Sequence, residues 1–229
     1  MFDVLSLSGV LQLLVAVSSH WNAVEGELYR YQRFTTDSPW ELVGRPIAIK
    51  LGKEGMAWGR GILQWKDDEG LQKKEGDGRS PAGLFSLGWV FGDALHQRYA
   101  RNMPFLLITE DLECVDDPGS KFYNQCVYAH TIAERDWKSS EKMQEIGPLY
   151  AIGIVVHHNC NPVVPGGGSA IFMHICSEQG KGTAGCTAMA EEDLITLVSW
   201  LDEYQNPRLL QLPMEEYEKV FPSPSFSVR

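Results

Sequence analysis

The chain has 229 residues, of which 44% are hydrophobic, and a formal net charge of -10 at pH 7. This length and apolar content allow a sizeable core, and no linker divides the sequence, so we expect one domain over residues 1–229. The negative charge, without any cluster of lysine or arginine, excludes a typical nucleic-acid-binding surface. No apolar run reaches the roughly 18 residues of a membrane-spanning helix. We expect a monomer without a transmembrane segment.

The first apolar segment, residues 1–17, is interpreted as part of a strand rather than as a signal peptide. Asp3 lies where a signal peptide carries positive charge, Gln12 interrupts the apolar run, and no clear cleavage site follows. Alternating side chains predict strands over residues 10–18 and 26–33. On this interpretation the chain is either a trimmed mature form or a cytosolic protein.

The middle of the chain alternates predicted strands with polar loops. The predicted strands cover residues 40–51 (two short strands broken at Gly44 and Pro46), 104–109 and 152–158. Residues 56–77 are rich in glycine and charge, and we expect a solvated loop that includes residues 66–69 and 73–75. Residues 76–83 form a turn because of their glycines and Pro81.

An acidic, turn-rich segment follows at residues 110–124, and a short helix is predicted over residues 136–144. After a loop at residues 162–169, a strand is predicted over residues 170–174. A helix then begins near Glu191 and continues to the stop at Asn206 and Pro207. Apolar residues at i, i+3, i+4 and i+7 lie on one face of this helix and are expected to face the core. They are Leu194, Leu197, Val198 and Leu201. The predictions end with a strand at 208–212, a short helix at 214–220 and a loose tail at 221–229.

The most informative stretch places His174 twelve positions before Cys186. A catalytic cysteine needs a nearby base, because the thiolate is the nucleophile, and an imidazole can take and return that proton. Gly185 lets backbone N–H groups approach an oxyanion, and the hydroxyl of Thr183 can steady the turn or contact substrate. The alternative is that Cys186 is a small buried residue and His174 a core histidine.

The pattern of histidine followed by Ser/Thr-x-Gly-Cys resembles the signature of the YkuD-type L,D-transpeptidases, and residues 183–186 fill its last four positions. Other stretches resemble the same family, and these are residues 58–61, 76–85, 114–118 and 123–124. The resemblance implies a mainly β fold, a β-sandwich with one or two flanking helices. Two positions depart from the family pattern. Ala188 stands where members commonly carry arginine, and Ile175 where glycine is common.

The resemblance implies acyl transfer on peptidoglycan stem peptides in the bacterial periplasm or cell envelope, with no cofactor. Cys186 would attack the carbonyl before the terminal D-alanine and form a thioester, with His174 as the base. An amine acceptor makes the enzyme an L,D-transpeptidase, and water makes it an L,D-carboxypeptidase. Because Ala188 replaces the arginine, a catalytically idle cell-wall-binding domain is a further alternative. His158 either lines the cleft and binds substrate or is a surface histidine at a strand end.

The five cysteines fit one free nucleophile plus two disulfides, with Cys114–Cys126 and Cys160–Cys176 as one possible pairing. Five free thiols are the alternative. A zinc site is the competing chemistry, since histidine and cysteine lie two residues apart at His158 and at His174. Because no known zinc spacing is present, we predict no metal site.

Overall fold

The computed structural model describes residues 7–62, 70–177 and 180–220, and within these ranges the chain is mainly β. The strands are β1 (Gln12–Ser18), β2 (Glu25–Gln32), β3 (Glu41–Leu42), β4 (Ile47–Lys50), β5 (Met56–Trp58), β6 (Ser80–Gly92), β7 (Phe105–Leu107), β8 (Leu112–Val115), β9 (Cys126–Tyr128), β10 (Ser140–Lys142), β11 (Ile152–Val156), β12 (Phe172–Ile175), β13 (Thr187–Met189) and β14 (Arg208–Pro213). The helices are α1 (Glu191–Trp200) and α2 (Met214–Val220). Neither they nor the short 3₁₀ turns of the described ranges are long and apolar enough to cross a membrane.

The large sheet closes on itself through β1. This strand pairs in parallel with β14 and antiparallel with β2, and the order from β14 to β2 is β14-β6-β11-β12-β13-β4-β2. Every residue of β1 is buried, so the strand has neighbours at both edges and on both faces. The predicted mainly β fold is confirmed. The predicted sandwich of two separate sheets is not, because β1 joins what would be their free edges.

The main core consists of the apolar side chains that the strands and helices bury together. Its fully buried members include Leu13, Leu28 and Phe85. The predicted helix is confirmed as α1, which buries Leu194, Leu197 and Val198 and packs against β11 and β12. It ends earlier than predicted, at Trp200 rather than at Asn206.

A second, three-stranded sheet of order β10-β8-β9, called here the small sheet, packs on one side of the large one. A separate apolar cluster joins the two sheets, and its buried members are Phe91, Leu112, Cys114, Met143, Tyr150, Phe172 and Cys186. A disulfide between Cys114 and Cys126 links β8 to β9. The small sheet therefore forms a cover over the cysteine that the sequence marks as the nucleophile.

The helix predicted over residues 136–144 is wrong, because this segment forms β10 and the start of a 3₁₀ turn. Ser140 and Trp137 both donate hydrogen bonds to the carboxylate of Glu113 on β8, at 2.6 and 2.9 Å. Pairing with β8 thus overrides a weak local preference for helix. The predicted tail at residues 221–229 and the predicted loop residues 66–69 lie outside the described residues.

Candidate active site

Two neighbouring parallel strands carry the predicted nucleophile and base. Met173 of β12 pairs with Thr187 of β13, and His174 pairs with Ala188. Cys186 directly precedes β13. Continuing the pairing of Met173 with Thr187 back by one residue places Cys186 beside Phe172. Because alternate residues of a strand point to the same face, Cys186 and His174 are diagonal neighbours on one face of the sheet.

The side chain of Cys186 is almost completely enclosed, and the residue is 7% exposed. Its Sγ accepts a hydrogen bond from the N–H of Phe172 at 3.3 Å and donates one to the carbonyl of Ala170 at 3.5 Å. Burial, together with the negative charge of Glu141, raises the pKa of the Cys186 thiol to about 12, although the Phe172 N–H and the charge of Lys73 oppose this rise. In this enclosed arrangement the sulfur is a neutral thiol at neutral pH.

His174 has a fixed tautomer. Its Nδ1 lies 2.8 Å from the carbonyl oxygen of Ile175, which can only accept, so Nδ1 carries the proton. The lone pair is then on Nε2, which makes this nitrogen the basic one. Burial lowers the pKa of His174 below its ordinary value, against the opposing effect of the Ile175 carbonyl. The ring is therefore neutral near pH 7, as a general base must be.

Tyr150 connects the two side chains. Its ring lies edge-on to His174, with centroids 5.4 Å apart, and edge-on to Phe172 at 5.7 Å. Within the described part of the chain, Cys186 and His174 share no hydrogen bond, but both border this ring. The Tyr150 hydroxyl donates to the carboxylate of Glu141 at 2.8 Å. Burial and the nearby acids raise the pKa of Glu141.

The turn before the nucleophile is held by side-chain hydroxyls. Thr183 accepts a hydrogen bond from the N–H of Gly185 at 3.1 Å and donates one to the carbonyl of Cys186 at 2.6 Å. Ser80 donates to the same carbonyl at 2.9 Å. A Cβ on Gly185 would lie 3.1 Å from the carbonyl oxygen of Arg79, so the close packing of the turn favours glycine. Because Thr183 occupies the Gly185 N–H, that group is not a free oxyanion donor in this state.

A buried polar bridge supports β13 from its other side. The Thr187 hydroxyl donates to Gln211 at 2.8 Å, and the Gln211 amide donates to the carbonyl of Pro81 at 2.9 Å. Sequence reasoning missed Gln211, because no local pattern marks a partner 24 residues away. It also gave no role to Ser80, although this residue lies within the turn stretch that resembles the family.

His158 requires a correction. The residue is only 1% exposed, its Nδ1 accepts from the N–H of Arg60 at 3.2 Å, and its Nε2 donates to the carbonyl of Gly167 at 2.9 Å. Burial lowers its pKa to about 4. With both nitrogens bonded to backbone, this histidine joins two loops. The surface histidine at a strand end is wrong, and substrate binding by His158 stays a prediction.

The cysteine predictions are half right. The Cys114–Cys126 disulfide is confirmed, but the Cys160–Cys176 pairing is wrong, because both of these thiols are free. Cys160 is exposed in the turn after β11, where its Sγ donates to the carbonyl of His158. Among the described residues, histidine, cysteine, aspartate and glutamate side chains form no group of three that could hold a metal ion.

A comparison with models of known protein families identifies the family of this chain. The model of the L,D-transpeptidase catalytic domain, YkuD, matches residues 42–208. The chain belongs to the YkuD family. Comparisons with curated proteins and with solved structures gave no match. The YkuD match covers most of the chain, from β3 to the start of β14, and includes both Cys186 and His174. The chain is thus an L,D-transpeptidase-type catalytic domain of a family that acts on peptidoglycan of the cell wall.

Proposed function

We propose that this YkuD domain is an L,D-transpeptidase in which Cys186 is the nucleophile and His174 the general base. The observation that carries the proposal is the β12–β13 register, which places the two side chains on one face of adjacent strands. The shared neighbour Tyr150 keeps them in one environment. Catalytic hydrogen bonds are commonly long or missing without substrate, so the proposal does not require a Cys186–His174 hydrogen bond in the free enzyme.

The reaction has two halves. In the first, Nε2 of His174 takes the thiol proton while Sγ of Cys186 bonds to the carbonyl carbon between the third stem residue, a diamino acid, and the terminal D-alanine. Collapse of the tetrahedral intermediate breaks the C–N bond, and the departing amine of D-alanine takes the proton from His174. A thioester on Cys186 remains. Backbone N–H groups around Gly185 and Cys186 would hold the developing oxyanion, and each such donor contributes roughly a hundredfold in rate.

In the second half, the amine of another stem peptide attacks the thioester. The amine loses its proton to His174, a new C–N bond forms, the S–C bond breaks, and the proton passes from His174 to the sulfur to restore the Cys186 thiol. The small sheet covers the thiol, which is only 7% exposed, and a covered thioester would be hydrolysed more slowly by bulk water. The Cys114–Cys126 disulfide supports an oxidising compartment, and we place the enzyme in the bacterial cell envelope or periplasm.

The test is to incubate the protein with purified muropeptides that carry tetrapeptide stems and to follow them by mass spectrometry. We expect loss of D-alanine together with cross-linked dimers. Loss of D-alanine without dimers would identify an L,D-carboxypeptidase instead.

Two cysteine variants make the test specific. Cys186→Ala should abolish the reaction and leave the fold intact, because exchanging a small side chain for a smaller one leaves little cavity. Cys160→Ala, which removes another free thiol, should remain active. If folded wild-type protein changes no muropeptide, the idle cell-wall-binding alternative replaces the proposal.

A further inference from the structure

Lys73 has a buried charge that the chemistry above does not use. The segment was expected to be a solvated loop, yet the side chain of Lys73 is only 3% exposed. Its ammonium donates to the carbonyl of Lys74 at 2.8 Å and to the carboxylate of Asp77 at 2.6 Å. Burial of an ammonium group is costly even when it is paired, so its position calls for an explanation.

The Lys73 side chain lies against the turn that presents the nucleophile. A Cβ placed on Gly185 would be 3.7 Å from Cε of Lys73, and a Cβ on Gly168 would be 3.2 Å from its Cγ. The lysine stem therefore fills the space that Gly168 and Gly185 leave, and Gly185 directly precedes Cys186. Asp77, whose carboxylate also accepts from the N–H groups of Lys74 and Arg79, fixes the ammonium in that place.

The charged and titratable groups around Cys186 come from four elements. Glu141 on β10 and Tyr150 in the following 3₁₀ turn lie on the small-sheet side, and His174 lies on β12. Lys73 and its partner Asp77 come from the loop before β6. Asp116 and Glu75 add negative charge near Glu141, and the buried imidazole of His158 lies beside Lys73. The charge of Lys73 lowers the pKa of the Cys186 thiol, whereas that of Glu141 raises it.

The strand of the nucleophile itself carries no compensating cation. Ala188, two residues after Cys186, is buried and pairs with His174. A cation held on another segment is then the way for this chain to place positive charge near the sulfur.

We propose that Lys73 is a positioning residue whose buried ammonium, held by Asp77, stabilises the thiolate of Cys186 from the loop before β6. This inference rests on the proposed role of Cys186 as nucleophile. It assigns a function to a lysine that acts through the sulfur and does not touch the peptide.

The test measures the alkylation of Cys186 by iodoacetamide between pH 6 and 9, with mass spectrometry to separate the three free cysteines. Below the pKa of the thiol, the rate is proportional to the thiolate fraction, so a rise of one pKa unit slows the reaction about tenfold at a fixed pH. We expect Lys73→Met, which keeps the apolar stem, to slow alkylation of Cys186 about tenfold. The rates of Cys160 and Cys176 should not change, and Lys73→Arg should restore the Cys186 rate.

Lys74→Met is the matched control, because the side chain of Lys74 is exposed and one position away. It should leave the Cys186 rate unchanged. Should Lys73→Met not fold, the double variant Lys73→Met with Asp77→Asn removes both charges of the pair and should still slow the alkylation of Cys186, by less than tenfold. Equal Cys186 rates in wild type and in the folded charge-removing variant, or no Cys186 alkylation in either, would overturn the inference.

The two proposals can fail separately. If Cys186→Ala still releases D-alanine, the proposed function is wrong whatever Lys73 does. If Cys186→Ala is inactive but the loss of the Lys73 charge leaves alkylation unchanged, only the role of Lys73 is wrong.

Discussion

The hydroxyl of Thr183 donates a hydrogen bond of 2.6 Å to the carbonyl of Cys186, three residues later. The same oxygen accepts the N–H of Gly185 at 3.1 Å. One side chain thus holds the peptide N–H of the residue before the nucleophile and the carbonyl of the nucleophile itself. The position of Sγ relative to His174 depends on this turn as much as on the strand that follows it.

Thr183→Val should therefore reduce turnover far more than stability. The valine keeps the shape of threonine but loses both hydrogen bonds. Ser80 still satisfies the Cys186 carbonyl, so we expect a stability loss of only about 1 kcal/mol. A displaced nucleophile can lower the rate about a hundredfold. Release of D-alanine and thermal unfolding measure the two effects.

Thr183→Ser, which retains the hydroxyl, is the control and should stay within a few-fold of wild type. If the valine variant turns over at the wild-type rate, the hydroxyl does not position the nucleophile.

The sequence predicted features that depend on local patterns. Alternation indicated β1, the 3.6-residue period indicated α1, and the Thr-x-Gly-Cys spacing indicated Cys186. Features that depend on contacts between distant parts of the chain could not be predicted from the sequence. Closure of the large sheet requires β1 to pair with β14, nearly 200 residues away, and β10 forms only because β8 is beside it.

The same limit applies to single residues. Lys73 lies in a polar stretch that is typical of a solvated loop, and its packing near Gly168 and Gly185 becomes visible only in the folded chain. His158 ends an apolar strand, and only the folded loops around it supply backbone partners for both nitrogens. A residue whose environment is made by several segments cannot be assigned from its own neighbours in the sequence.

The acid limit of activity should lie below pH 6.5. Burial lowers the pKa of His174 below the ordinary 6.5, so the basic form of the imidazole persists to lower pH than in an exposed histidine. As pH falls through that lowered pKa, Nε2 becomes protonated and can no longer accept the thiol proton. The pH profile of kcat/KM for D-alanine release measures this limit.

His174→Gln should abolish turnover at every pH, because an amide cannot serve as the base. An acid limb centred above pH 6.5 would contradict the assignment of this titration to His174.

Glu141→Gln should accelerate the alkylation of Cys186. The carboxylate of Glu141 raises the pKa of the thiol through its charge, and the amide removes that charge while it still accepts from the Tyr150 hydroxyl. A pKa that falls by one unit increases the iodoacetamide rate about tenfold. The direction is opposite to that expected for Lys73→Met in the same assay. Glu145→Gln, at an exposed position just after β10, is the control and should have no effect.

Loss of the Cys114–Cys126 disulfide should loosen the cover over Cys186. The bridge closes a loop of 12 residues, and a cross-link of that size contributes roughly 3 kcal/mol to stability. We expect Cys114→Ser with Cys126→Ser to unfold at a lower denaturant concentration. Alkylation of Cys186 should become faster, because Cys114 packs in the same apolar cluster. Unchanged protection of Cys186 in the folded double variant would show that the small sheet is held over the thiol without the disulfide.

His158 should make the stability of the fold depend on acid pH. Its pKa is about 4 in the folded chain and near 6.5 in the unfolded chain, so the unfolded state binds more protons between these values. The stabilisation of the folded state by neutral His158 is fully present above pH 6.5 and is lost as pH falls toward 4, by about 3 kcal/mol in total.

His158→Gln keeps a donor for the Gly167 carbonyl but cannot titrate, so its unfolding free energy in denaturant should fall less over this range. The control is His20→Gln, which makes the same exchange at an exposed position. Identical curves for wild type and His158→Gln would mean that His158 titrates alike in both states.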